Sequence, residues 1–134
     1  MLTVSCIAEV TVVVGPPGVG KSRWCAEQCG SEPAYYKPRG QWWDGYWRHK
    51  IVVIDDFYGW IRLDEMLRIL DRYPHRVEVK GGMVQFLAEK IYITSNVEPK
   101  DWYKDETHNV LIKALLRRID HTIFMKETPY TGVM

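Results

Sequence analysis

The chain has 134 residues, 46% of them apolar and 26% charged, a balance that suits one compact domain and excludes a largely disordered polypeptide. A net charge of +1 excludes a global basic field, so any contact with nucleic acid must come from a local group of lysines and arginines. No apolar run is long enough to span a membrane, the first residues lack the pattern of a signal peptide, and Cys6, Cys25 and Cys29 have no ligand spacing, which fits a reducing compartment.

Residues 1–9 read as a leading segment. Val10-Thr11-Val12-Val13-Val14 is a β-branched run closed by a glycine, the pattern of a buried parallel strand. It runs into Gly15-Pro16-Pro17-Gly18-Val19-Gly20-Lys21-Ser22, which matches G-x-x-x-x-G-K-[ST] in the required place after a strand and before a helix. Glycines let backbone N–H groups turn inward around phosphate oxygens, and the following helix adds its positive end. Lys21 is expected to reach the β- and γ-phosphates of a nucleotide, and Ser22 to offer its hydroxyl to Mg²⁺. A glycine-rich turn without phosphate is the alternative, but it requires neither Lys21 nor Ser22 in register.

A helix is predicted over 22–29, with Gly30 as its stop; Cys25 and Cys29 share a face and read as small buried hydrophobes. Residues 31–40 contain Pro33, Pro38 and Gly40 and are predicted to be mostly turn. The aromatic segment from Trp42 to Trp47, with a turn signal at Asp44-Gly45, reads as packing; base stacking is the alternative. Residues 51–54 form a second buried strand that ends in Asp55-Asp56. Open α/β sheets place ligands at the carboxyl ends of their strands, so this pair is expected at the same edge as the glycine loop. Asp55 is expected to hold Mg²⁺, directly or through water, and Asp56 to orient an attacking water. A solvated acidic turn is the alternative.

A helix capped by Asp64 is predicted as far as Tyr73, with Leu63, Met66, Leu67 and Leu70 as its apolar face. Residues 77–86 read as a hairpin centred on Gly81-Gly82. Lys80 at its tip can touch a nucleic-acid backbone as a point charge, and an incidental surface lysine accounts for it equally well. Residues 91–93 form a third buried strand running into Thr94-Ser95-Asn96. The Asn96 amide there can hydrogen-bond a γ-phosphate or the attacking water; a strand-ending turn or helix cap is the alternative. An amphipathic helix over 109–119 carries Arg117-Arg118 near its end. Phosphoryl transfer develops charge that an arginine can stabilise, often from a neighbouring subunit, and a basic last turn also suits the helix dipole. Arg118 is ranked as that finger and Arg117 as a helix-end or partner contact. A last strand is predicted over 122–125 and a tail over 128–134. Strands alternating with helices argue for an α/β domain with a mostly parallel sheet.

The order GPPGVGKS, YYKP, WWDGY, IVVIDDFYGW, DRYPHRVEVKGG, IYITSN and LLRRI resembles the helicase domain of circovirus-like replication-associated (Rep) proteins. The resemblance runs over nearly the whole chain and implies a superfamily 3 helicase: a P-loop NTPase with an AAA+-like three-layer domain over 10–127, a mostly parallel five-stranded sheet and a hexameric ring. It implies that Lys21 and Ser22 lie in Walker A and Asp55 and Asp56 in Walker B. It also implies that Asn96 is the sensor asparagine, that Lys80 and Gly81 belong to the hairpin that tracks single-stranded DNA, and that Arg118 is the arginine finger.

The implied cofactors are ATP and Mg²⁺, and the implied setting is the host nucleus, neither secreted nor membrane-bound. Full-length family members carry an endonuclease domain with a His-hydrophobe-His motif. No His-x-His occurs here, so this chain is not expected to nick or join DNA. The expectation is an ATP-dependent ring motor on single-stranded DNA in rolling-circle replication, with RNA left open as the track. A small P-loop phosphotransferase, which needs a second acceptor pocket, is one alternative. A non-catalytic ATP-binding oligomerisation or nucleic-acid-binding module is the other.

Overall fold

A strand buried on both faces cannot alternate apolar with polar, and β1 (Glu9–Val14) obeys this: each residue after Glu9 is buried. In the computed structural model, which describes residues 8–71, 73–104 and 109–126, β1 lies inside a five-stranded parallel sheet. It pairs on one side with β6 (Lys90–Ser95) and on the other with β7 (His121–Phe124). β6 pairs with β3 (Ile51–Ile54), and β3 with β2 (Ala34–Tyr36), giving the order β2-β3-β6-β1-β7. The strand that carries Asn96 therefore sits between the strand of the glycine loop and the strand of Asp55-Asp56. The expected tail at 128–134 and residues 1–7 of the leading segment lie outside the described residues.

Helices cover both faces. α1 (Lys21–Cys29) lays Cys25 and Cys29 on Val13, Val53 and Tyr92. On the opposite face α2 (Leu63–Ile69) and α3 (Asn109–Arg117) bury Leu63, Met66, Ile69 and Leu115 against Val10, Val12, Val52, Ile54, Ile91 and Ile93. The result is the expected three-layer α/β arrangement with a five-stranded parallel sheet. Burial pushes the Cys25 thiol up to about 12, with Asp55 adding to the effect, so it packs as an apolar group. Among the described residues no helix is long and apolar enough to cross a membrane.

Several boundaries differ from the sequence reading, among them β7, which begins and ends one residue earlier than expected. Residues 34–36, read as turn, form edge strand β2, because Tyr35 and Tyr36 suit a strand and three residues fit between the prolines. α2 starts before Asp64, so Asp64 is not the cap; its carboxylate pairs with Arg62 and accepts from the Glu65 N–H. α2 also stops at Ile69 rather than near Tyr73, where Leu70 reaches ψ 4° and Asp71 N closes on Arg68 O at 3.2 Å. The last turn of α3 tightens the same way, with Arg118 N on Leu115 O and Ile119 N on Leu116 O.

β4 (His75–Val79) and β5 (Gly82–Phe86) form the hairpin, with Lys80-Gly81 as its turn, one residue earlier than expected; Gly81 adopts a φ of 94°. The aromatic segment joins this hairpin to β2. Trp43 stacks on Tyr35, Tyr46 stacks on Phe86, and both Trp43 and Tyr46 are buried, while Trp42 and Trp47 are exposed.

Candidate nucleotide site

The loop between β1 and α1 turns because two of its glycines adopt a conformation costly for other residues, φ 82° at Gly18 and 100° at Gly20. Gly15 is needed for a different reason: a Cβ there would lie 2.5 Å from Met125 O, so the loop passes directly under the end of β7. Its N–H donates to Ser95 O at 3.0 Å, which ties the loop to β6.

Lys21 points into the curl of this loop and is buried. Its Nζ donates to Gly15 O at 2.7 Å, Pro16 O at 2.8 Å and Asn96 Oδ1 at 3.0 Å. Burial lowers its pKa from the ordinary lysine value, while Asp56 and Asp55 act in the opposite direction. Ser22, one residue on, donates from Oγ to Asp55 Oδ1 at 2.8 Å.

Asp55 and Asp56 follow β3, and the neighbouring strand arranges them. Thr94 Oγ1 donates to Asp55 Oδ1 at 2.7 Å and accepts the Asp56 N–H at 2.7 Å. The Asp56 backbone has a φ of 57°, a left-handed conformation costly for a residue with a Cβ. Its exposed carboxylate faces Arg39 Nη2 at 3.0 Å. The turn beyond Asn96 is pinned by Ser95, whose Oγ accepts from Trp102 Nε1 at 2.9 Å.

The ends of β1, β3 and β6 thus bring together Lys21, Ser22, Asp55, Asp56 and Asn96. A hydroxyl and a carboxylate 2.8 Å apart present the hard oxygens that Mg²⁺ takes. Among the described residues no three His, Cys, Asp or Glu side chains gather as a metal site. A half-open cavity of about 390 Å³ lies elsewhere, between Lys37, Trp43, Trp60, Arg62, Glu65 and Glu78. It suits no triphosphate, because carboxylates line it and the Lys37 ammonium is already held by three carbonyl oxygens. Donor chemistry therefore places the nucleotide candidate at the open glycine loop.

Two expected residues stand apart from this group. Lys80 is exposed at the hairpin tip. Arg118 lies near the opposite edge of the sheet, two residues before Asp120, which bonds Val10 at the start of β1. Its Nη1 donates to Ala114 O at 3.0 Å and its Nη2 lies 3.9 Å from Asp71. Arg117 is exposed, with no hydrogen-bond or ion-pair partner among the described residues. Sequence reasoning missed Arg39 and Lys37. Lys37 lies in the YYKP segment but was given no role there, Arg39 belongs to no motif, and only the fold brings Arg39 to Asp56.

A sequence model of the RNA helicase family matches residues 11–97, well over half of the chain, including Lys21, Ser22, Asp55, Asp56 and Asn96. The chain is 53% identical over 122 residues to the replication-associated protein of goose circovirus, a match covering 91% of this chain and 40% of that protein. It is 58% identical over 110 residues to that of beak and feather disease virus, covering 82% of this chain and 36% of the relative. It is 53% identical over 119 residues to that of porcine circovirus 2, covering 88% and 38%. The chain therefore spans about two-fifths of the length of the curated relatives it matches. The likeness to circovirus replication-associated proteins read from the motifs holds at this level of identity, and through residues 11–97 the chain belongs to the RNA helicase family.

Proposed function

We propose that the chain is the ATP-hydrolysing motor of a viral replication protein, working as a ring on single-stranded nucleic acid. The observation that carries this reading is the meeting of Lys21, the Ser22–Asp55 pair and Asn96 at the ends of three strands. Loop N–H groups and Lys21 would bind the triphosphate, with the ammonium leaving the Gly15 and Pro16 carbonyls for phosphate oxygens. Ser22 and Asp55 would hold Mg²⁺, which draws charge from the phosphate oxygens when bound. Asp56 orients and polarises the attacking water, and Asn96 contacts that water or the γ-phosphate.

Charge developing on the phosphates calls for an arginine, and the pair ending α3 lies too near the far edge of the sheet to serve its own subunit. Supply from a neighbouring copy fits that placement. The resemblance favours Arg118, while the exposure of Arg117 leaves its guanidinium freer to move. Lys80 at the hairpin tip contacts the strand. Domain limits of 10–127 go with this reading, as do a hexameric assembly and a place in the host nucleus.

The test is ATP turnover by this chain with and without single-stranded DNA, and with single-stranded RNA in parallel. Stimulation by DNA that Lys80→Ala abolishes supports the reading, and stronger stimulation by RNA reassigns the track. Unstimulated binding of nucleotide without hydrolysis contradicts it. Arg118→Ala and Arg117→Ala separate the finger: the true one, inactive alone, regains turnover when mixed with Lys21→Ala.

A further inference from the structure

Arg39 lies in the loop between β2 and β3, outside the nucleotide motifs, yet its guanidinium meets the carboxylate of Asp56. Nη2 is 3.0 Å from Asp56 Oδ2, and Nη1 donates to Tyr58 Oη at 2.6 Å. The guanidinium carbon stands 5.0 Å from the Tyr58 ring centre and 5.5 Å from that of Trp60. An exposed ion pair alone contributes little. Here two hydrogen bonds in a fork and two ring faces fix one guanidinium. Asp56 is held from behind as well, through its N–H on Thr94 Oγ1 and its left-handed backbone.

The loop that carries Arg39 is also bound to the hairpin. Lys37, buried, donates from Nζ to Pro38 O, Gly40 O and Trp42 O at 2.7, 2.7 and 3.1 Å, which fixes the path of the chain around Arg39. Trp43 N donates to Glu78 O at 2.8 Å, and Lys80 N donates to Asp44 Oδ1 at 2.9 Å. Contacts thus run without a break from the hairpin tip to the water-orienting carboxylate.

We infer that Arg39 is a positioning residue that restrains Asp56, and that a strand bound at the Lys80 hairpin releases it through the 37–44 loop. The inference rests on the role given to Asp56 above. The guanidinium on Oδ2 fixes the direction of the Asp56 carboxylate and draws charge from it, which makes it a poorer and misdirected acceptor for an attacking water. Displacing the hairpin turn pulls on Asp44 and Trp43, and the loop withdraws Arg39. Exposure of the pair makes that release inexpensive.

Turnover is compared for wild type, Arg39→Gln, Arg39→Lys and Asp44→Ala, each checked for folding by circular dichroism, with and without oligothymidylate. Arg39→Gln is expected to raise the strand-free rate several-fold and to lose the response to oligothymidylate. Arg39→Lys, which keeps the charge but not the fork, falls between. Asp44→Ala keeps the strand-free rate and loses the response. A strand-free rate in Arg39→Gln equal to or below wild type overturns the inference, as does a response retained in Asp44→Ala. A second readout needs no hydrolysis: the ¹⁵N signal of the Arg39 guanidinium, assigned by its loss in Arg39→Gln. It is expected to shift when oligothymidylate is added to wild type and to stay in place in Asp44→Ala. A signal unmoved in wild type overturns the relay. Absence of any ATP turnover counts against the motor reading instead, and the guanidinium signal still decides this one.

Discussion

Thr94 shows how one side chain can arrange two others. Its hydroxyl donates to Asp55 and accepts from the Asp56 backbone, so both carboxylates depend on a residue that touches no phosphate in the proposed reaction. Valine keeps the shape and removes both bonds. Thr94→Val is expected to lose about 1–3 kcal/mol of stability, the cost of leaving a part-buried N–H unpaired, as read from the urea midpoint. ATP turnover is expected to fall by roughly tenfold or more because the carboxylates lose their alignment. A variant unchanged in both contradicts the assignment.

Lys37 gives a second test at this scale, through pH. Burial brings its ammonium down to about 8, against the opposing pull of Glu65 and Asp44. A lysine depressed in this way holds its proton less well folded than unfolded. Its contribution to stability therefore rises with pH, from about 8 towards the ordinary lysine value. Between pH 8 and 9 the gain is about 1 kcal/mol, before tyrosine ionisation intervenes. Denaturation of wild type and Lys37→Met at the two pH values is expected to show that gain as the difference between their slopes, because the Cys25 thiol, held up to about 12 in the fold, lowers the stability of both over the same range.

At the scale of elements, the turn after β3 is held by the segment after β6. Gly59 has a φ of 109°, and a Cβ there would lie 2.3 Å from the backbone oxygen of Trp102. Gly59→Ala is expected to destabilise by roughly 1–3 kcal/mol or more and to lower turnover as well, since the same turn begins with Asp55-Asp56. Thermal melts and ATP hydrolysis check both effects; a melt like that of wild type refutes the contact. Trp43, buried between β2 and the hairpin, is expected to cost about 3–5 kcal/mol on replacement by alanine.

These elements also show what could be read from residue order. The glycine loop, the acidic pair and the strand-end asparagine were legible because each lies within a few residues of a long apolar run, and the fold rule for strand ends brings such sites to one edge. β2 was not legible: it is three residues long, and two prolines within two residues of its ends speak for a turn. The roles of Arg39 and Thr94 were hidden because their partners lie across the fold rather than along a helix or strand, and that of Lys37 for another reason. The carbonyls that hold Lys37 are local, but only the buried path of the loop makes an ammonium necessary there.

Over the whole molecule, the proposed catalytic group sits at one edge of the sheet and the arginine pair near the other. On the proposed reading one subunit holds the halves of two sites, and turnover per subunit should depend on assembly. The measurement that tests this most directly is ATP turnover per subunit in Mg²⁺ across a series of protein concentrations, for wild type and Lys21→Ala. The account predicts that the wild-type value climbs as subunits associate, while Lys21→Ala stays at background throughout. Turnover that is constant with concentration and survives in Lys21→Ala would contradict it.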